Sequence, residues 1–203
     1  MRNFSAFATP VVLALLLASC GQKTVETASA TGNSMGNSTD VSDGAFANAA
    51  GDETLAPAPS GQEFADKAAK SDAFEIAAAK LAKEKASSAE LKSFAAMMMA
   101  DHTASTAKIK AAAAKADPAI KPDPTLTADQ NQKLADLGKL SGADFDKEYA
   151  TQQVGAHEEA LSLMTLYSDK GDVASLKSAA GEIKPKVQTH LDRIKAIRDK
   201  LTG

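Results

Sequence analysis

Cysteine occurs only once in this chain of 203 residues, at Cys20, and tryptophan does not occur at all. One cysteine cannot form a disulfide within the chain, and the other residues supply no thiolate nucleophile or thiolate metal ligand. The sequence also lacks a Gly-rich phosphate loop and a Gly-x-Ser-x-Gly elbow, so nucleophilic catalysis finds little support. No stretch alternates between apolar and polar residues with a period of two, which argues against β-strands.

An excess of charge of one sign is also missing from most of the chain. Residues 61–203 carry 21 basic and 21 acidic side chains, and no basic stripe interleaves with aromatic residues. A protein that binds nucleic acid usually presents such a stripe to the phosphate backbone. We therefore expect no nucleic-acid partner.

The first 20 residues have the pattern of a bacterial lipoprotein signal. Arg2 precedes an apolar run, Val11 to Ala18, that is too short to span a bilayer. The run ends in Leu17-Ala-Ser-Cys20, which resembles the cleavage box that makes the cysteine the acylated first residue. Ordinary cleavage that leaves Cys20 as a free thiol is the alternative. Gly21 stands where lipoproteins of the inner membrane often carry Asp, so we expect a lipid-anchored envelope protein that faces the periplasm at the outer membrane.

Residues 21–60 are rich in Gly, Ser, Thr, Asn, Ala and Pro, and their few large apolar residues show no period. Such a segment cannot bury enough apolar surface to offset the entropy lost on ordering. We therefore predict a signal peptide over 1–20, a disordered linker that acts as a tether over 21–60, and a single folded domain over 61–203.

Apolar residues in the folded part recur at spacings of three and four, which is typical of amphipathic helices. With their capping residues they predict long helices over about 61–86, 88–116, 143–170 and 173–201. Thr127-Ala-Asp-Gln130 has the form of a capping box and predicts a short helix between the second and third long ones. Pro185 lies inside the last helix, where we expect a kink or a restart.

Two long helical hairpins joined by a crossover with a short helix have the connectivity of a ferritin-like four-helix bundle. The predicted fold is therefore all-α. An irregular helical domain or an extended coiled coil is the alternative, and the long proline-containing crossover argues against the coiled coil.

The chain has three histidines, His102, His157 and His190, and each lies near the middle of the apolar stripe of a different long helix. At 1.5 Å per residue, they and Glu75 of the first helix lie roughly 18–25 Å from the hairpin turns, and thus at similar height. Imidazoles with one carboxylate suit zinc, copper or iron. We therefore predict one transition-metal ion held by these four side chains, with Asp101 and Tyr149 as hydrogen-bonding neighbours.

Two other arrangements of these side chains are alternatives to this site. A di-iron oxidase needs Glu-x-x-His pairs, but the residues three before the histidines are Met99, Val154 and Val187, none of which is a hard ligand. In the metal-free alternative the histidines form a polar core layer, in which they bond one another, Glu75, Asp101 or Tyr149.

Three parts of the chain together resemble one bacterial envelope family. They are Phe94-Ala-x-Met97-Met98-x-x-Asp101-His102-Thr103, then Ser141-Gly142-Ala-x-Phe145-Asp146-x-x-Tyr149, and finally His157 with Pro185-x-x-x-x-His190. The family is catalogued as domain of unknown function 4142, and the resemblance covers roughly residues 62–200. The family usually has Asp before the third-helix histidine, where this chain has Ala156. The resemblance implies a ferritin-like fold and an envelope location, and it implies no established activity.

The leading hypothesis is a non-enzymatic binding or envelope-stress module that is anchored in the membrane by its lipid and holds one metal ion. A metal-dependent oxidoreductase is one alternative. The other is a purely structural envelope lipoprotein whose histidines form only a polar layer. The sequence identifies no protein partner.

We predict that Cys20 is the lipidated first residue of the mature protein, because Leu17-Ala-Ser-Cys20 follows a signal core. Intact mass spectrometry of native protein should give the mass of residues 20–203 plus the acyl groups. Cys20→Ala should abolish acylation and cleavage at this position. Cleavage elsewhere with an unmodified Cys20 would contradict the prediction.

Overall fold

The computed structural model describes residues 57–203, so the predicted signal peptide, Cys20 and most of the predicted tether lie outside the described residues. The described part forms five α-helices and no strand: α1 Gly61–Lys85, α2 Ala89–Ala113, α3 Ala128–Lys139, α4 Gly142–Lys170 and α5 Ala174–Thr202. The predicted all-α fold and its five helices are confirmed. Within residues 57–203, no helix has the length and apolar character that a membrane span requires.

Side-chain caps begin three of the helices, and the capping box at Thr127 is the one that the sequence predicts. Ser60 and Thr127 form capping boxes with the residue three positions later, and Ser88 accepts a hydrogen bond from the backbone of Leu91. α2 ends at Ala113, three residues before the predicted end. Its last turn tightens, because the N–H groups of residues 115 and 116 bond carbonyls only three residues back. Pro118 follows two residues later and has no N–H with which the helix could continue.

α5 continues without interruption through Pro185, so a restart of the helix at this residue is wrong. Proline has no N–H, which leaves the carbonyl of Gly181 without its usual helical donor. Both residues lie on the exposed face of α5, where water can solvate that carbonyl. The exposed position thus allows the helix to tolerate the proline.

Two antiparallel hairpins, α1 with α2 and α4 with α5, pack side by side as a four-helix bundle. Lys200 bonds Glu90 at one end of the contact between α2 and α5, and Ser175 bonds the carbonyl of Ala112 at the other, so these two helices are antiparallel. The crossover after α2 runs along α1, where Asp66 accepts a hydrogen bond from the backbone N–H of residue 123. This is the ferritin-like connectivity that the hairpin pattern predicts.

A polar layer at mid-bundle divides the apolar core into two clusters. The cluster near the α1–α2 turn contains Phe94 and Phe145. The cluster near the α4–α5 turn contains Phe64 and Tyr167, whose rings stack with centroids 3.8 Å apart. The buried polar side chains between the clusters are Asp72, Glu75, His102, Gln153, His157 and His190. The predicted site therefore lies inside the bundle, with apolar packing above and below it.

Asp146 ties the turn between α1 and α2 to the first turns of α4. Its carboxylate is 1 % exposed and accepts hydrogen bonds from the backbone N–H groups of Ser87, at 3.0 Å, and Ser88, at 2.9 Å. The hydroxyl of Ser87 donates a further bond to it. α4 begins at Gly142, whose φ of 61° is a conformation that side chains other than glycine rarely adopt. These contacts join the two hairpins at one end of the bundle.

Asp146→Ala should lower the free energy of unfolding by about 2–4 kcal/mol, because two backbone N–H groups and a hydroxyl lose a buried, charged acceptor. Urea unfolding followed by circular dichroism measures the change. The matched control is Asp144→Ala, which removes an exposed carboxylate from the first turn of the same helix and should cost less than about 1 kcal/mol. Equal losses in both variants would show that Asp146 does not hold the turn.

Candidate metal centre

Three helices bring His102, His157 and His190 together in the polar layer, as their similar distances from the hairpin turns predict. The side chains come from α2, α4 and α5, and their ring centroids are 5.5–5.8 Å apart. One ring nitrogen from each residue lies within 4.8 Å of those of the other two. The three residues are 6 %, 1 % and 1 % exposed, so water reaches them poorly. Three buried histidines this close together can hold a metal ion.

One nitrogen of each ring is fixed by an oxygen acceptor. The three bonds, each 2.8 Å long, join His102 Nδ1 to Asp72 Oδ1, His157 Nδ1 to the backbone oxygen of Gln153, and His190 Nε2 to Asp101 Oδ2. A carbonyl or carboxylate oxygen only accepts, so each of these nitrogens carries the proton. In a neutral ring the other nitrogen then presents its lone pair, which is the form that binds metals.

The other nitrogen of each ring has no hydrogen-bond partner within residues 57–203. These atoms are Nε2 of His102, Nε2 of His157 and Nδ1 of His190, and all three are buried. Leaving a buried polar atom unpaired costs about 1–3 kcal/mol, so a folded protein rarely retains three such atoms in one place. The arrangement combines fixed ring orientation with unused lone pairs, which is what a metal ion requires of imidazole ligands.

Glu75 lies in the same layer but outside the group whose donor atoms come within 4.8 Å of one another. Its Oε2 accepts a hydrogen bond of 2.6 Å from the side-chain amide of Gln153, and its Oε1 has no partner among the described residues. The amide holds the carboxylate in place on α1. The structure therefore brings together three of the four side chains that the sequence predicts as ligands.

The two predicted neighbours have different surroundings. Asp101 bonds a histidine, and the partner is His190 on α5 and not the adjacent His102. Tyr149 packs its ring edge-on against Phe94, with centroids 6.5 Å apart, and its buried hydroxyl has no partner within the described residues. Asp101 thus orients a ring of the cluster, whereas Tyr149 belongs to the adjoining apolar packing.

Two residues that bond the histidine rings are not predicted from the sequence. They are Asp72 and Gln153. Asp72 is three residues before Glu75, on the same face of α1, and this spacing is a signal that could have identified it. Its other oxygen accepts a bond of 3.1 Å from the hydroxyl of Thr106. Gln153 uses its backbone carbonyl to hold His157, and no side-chain pattern reports such a contact.

The layer cannot hold several positive charges. Burial, together with the two neighbouring histidines, lowers the pKa of His157 to about 3, although the bond to the carbonyl of Gln153 acts to raise this pKa. Burial also lowers the pKa of His190, although the bond to Asp101 opposes this. Burial acts on His102 in the same direction, but the bond to Asp72 and the charge of Glu75 outweigh it and raise its pKa. His157 and His190 are therefore neutral at neutral pH.

A model of the family described as Domain of unknown function (DUF4142) matches residues 45–197, roughly three quarters of the chain. The matched range includes every residue of the polar layer. No curated protein and no solved structure gives a significant match. The comparisons thus provide a family and no activity.

The stability of the metal-free protein should fall with rising pH because of Glu75. Burial raises the pKa of this carboxyl from 4.5 to about 7, although His102 and Gln153 act to lower it. The folded protein therefore binds more protons than the unfolded one between these two values, and its stability is lost as the pH rises through the window. Relative to Glu75→Gln, which cannot ionise, the wild type should lose on the order of 3 kcal/mol.

Urea unfolding of both proteins with a chelator, from about pH 4.5 to pH 8, measures this difference. The Gln variant serves as the control because it keeps the size of the side chain and a group that can bond Gln153. Parallel pH profiles for the two proteins would show that Glu75 does not change its protonation in this window.

Proposed function

The chain belongs to the family described as Domain of unknown function (DUF4142), which names no activity, and we propose from the site itself that it binds one transition-metal ion. The ligands are His102, His157 and His190, each through the ring nitrogen that has no partner in the described protein. Asp72, Asp101 and the carbonyl of Gln153 hold the rings in place.

One observation carries the proposal, the three buried and unpaired nitrogens at the meeting point of three helices. In a polar core layer without metal, the histidines would use these nitrogens to bond one another or Glu75. The structure instead pairs only the other nitrogen of each ring, with Asp72, the carbonyl of Gln153 and Asp101 as the acceptors. One ion would satisfy all three lone pairs at once and offset the cost of burying them.

The donor set defines the class of ion. Neutral imidazole suits zinc, copper, iron and nickel, whereas magnesium and calcium prefer oxygen ligands. Three protein ligands also leave one position of a tetrahedral ion for another molecule, which is typical of sites that do more than hold a fold together. The number of ligands favours a single ion over a metal cluster, because only three donor residues come together in the described part of the chain.

We also propose that this domain works in the cell envelope as a non-enzymatic binding or envelope-stress module. The support is the sequence Leu17-Ala-Ser-Cys20, which would place a lipid on Cys20 and hold the domain at the outer membrane, facing the periplasm. A metal-dependent oxidoreductase is the competing function. It requires that small molecules reach the ion, whereas a module that only binds the metal does not.

Full-length protein purified without a histidine tag should bind copper or zinc at close to one ion per chain. Binding should raise the melting temperature, because a ligand that binds only the native state stabilises it, by about 4 kcal/mol at a thousand times its dissociation constant. His102→Ala should abolish binding and the metal-induced shift. Elemental analysis and thermal melts with chelator, and with added copper or zinc, measure both.

The matched control is Thr103→Ala, the next residue on α2, which is exposed and should keep the full response to metal. The melts of His102→Ala with and without metal also distinguish a metal site from a polar layer that binds no metal. If His102→Ala lowers the melting temperature of the metal-free protein by as much as that of the metal-treated protein, and metal changes neither melt, the histidines form a structural layer and the proposal fails.

A further inference from the structure

Met98 lies between Phe94 and His102 on the buried face of α2, four residues from each. Residues four apart on a helix share a face, and their Cβ atoms are about 5–6 Å apart. The side chain of Met98 is 0 % exposed and belongs to the core cluster near the α1–α2 turn. The three side chains therefore enter the same part of the bundle, with Met98 in the middle.

The two neighbours of Met98 contact the same two histidines of the proposed site. The ring centroid of Phe94 is 6.5 Å from that of His157 and 6.4 Å from that of His190. The ring centroid of His102 is 5.8 Å and 5.6 Å from the same two rings. The backbone of α2 thus places Met98 between two side chains that both reach the histidines of α4 and α5.

The two methionines beside Met98 point in other directions. Successive residues of an α-helix are about 100° apart around its axis, since a turn takes 3.6 residues. The sulfur of Met97 accepts a hydrogen bond from the guanidinium of Arg193, at 3.4 Å. Met97 and Met99 are both half-buried, whereas Met98 is fully buried. Of the three methionines, only Met98 has the position of a ligand to the histidine site.

The chemistry of a thioether narrows the class of ion. Methionine sulfur is a soft ligand that selects copper(I), and imidazole binds copper as well as zinc. Three neutral rings and a thioether carry no charge, so copper(I) adds one positive charge to the layer, whereas zinc adds two. Burying charge in apolar surroundings is costly, and the setting therefore favours the monovalent ion.

Glu75 is the other side chain that could complete the site, because its Oε1 is buried without a partner among residues 57–203. The amide of Gln153 holds its Oε2, and the carboxylate lies outside the group of three histidines. A carboxylate is a hard ligand and suits ions other than copper(I). The two candidates for the fourth position thus predict different ions, which an experiment can separate.

We propose that the sulfur of Met98 is the fourth ligand of the metal centre and that the ion is copper(I). This inference rests on the proposed histidine site and adds to it the identity of the ion. Met98, and not an outside molecule, takes the position that the three histidines leave. A site with all four positions filled by the protein is typical of metal holding, because catalytic sites keep one position open. The inference therefore favours a binding module over an oxidoreductase.

The test measures copper(I) affinity of the full-length chain by competition with a chromogenic copper(I) chelator, with ascorbate as reductant, and zinc affinity in parallel. Met98→Leu should weaken copper(I) binding by about tenfold or more and leave zinc binding unchanged. Exchange of methionine for leucine nearly conserves volume, so the core should tolerate it. X-ray absorption at the copper edge should show a sulfur neighbour in the wild type and none in the variant.

The matched controls are Met97→Leu and Met99→Leu, which make the same exchange beside the site and should bind copper(I) as the wild type does. Equal copper(I) affinity of the wild type and Met98→Leu, with only nitrogen neighbours in the wild-type spectrum, would overturn this inference and leave the histidine site standing. Equal losses of copper(I) and zinc affinity in Met98→Leu would also overturn it, because the side chain would then act through packing. If the wild type binds neither ion, the proposed function fails and this inference fails with it.

Discussion

The burial of three imidazole rings in an otherwise apolar bundle is the constraint on which the rest of the site depends. Each ring needs an acceptor for its N–H, and each acceptor comes from a defined place: a carboxylate on α1, a carbonyl of α4 itself, or a carboxylate on α2. Two of these bonds cross between helices and therefore set the relative height of α1, α2 and α5. The cost of breaking one is large, because a buried polar group would remain unpaired.

The same constraint orders the surroundings of the rings. Each acceptor takes up one nitrogen of its ring, and the other three ring nitrogens are buried without a protein partner among residues 57–203. Protonating all three rings would place several positive charges side by side in a poorly solvated layer, and burial lowers the pKa of His157 and His190 accordingly. The proposed metal ion would resolve the conflict, since it would use the lone pairs of neutral rings and need no further proton.

The apolar clusters on both sides of the polar layer stabilise the arrangement of the three histidines. The stacked rings of Phe64 and Tyr167 close the lower half of the bundle, and Phe94 packs against the histidines from the upper half. At the upper end, Asp146 joins the α1–α2 turn to α4, and these bonds oppose sliding of one hairpin along the other. Register matters here, because a shift of one helical turn is about 5.4 Å and would separate the three donors.

Much of this could be predicted from spacing alone. The 3.6-residue period and the capping residues determined the five helices, and the rise of 1.5 Å per residue placed the histidines at one height. The sequence could not show which hydrogen bonds form in the layer. Asp101 accepts a bond from His190, Asp72 accepts one from His102, and the amide of Gln153 donates one to Glu75. Spacing fixes the face and height of a residue, but which atoms meet depends on rotamers and helix separation. The sequence by itself therefore determined the fold and the layer, and only the tertiary structure decided which nitrogens stay unpaired, since contacts between helices orient each ring.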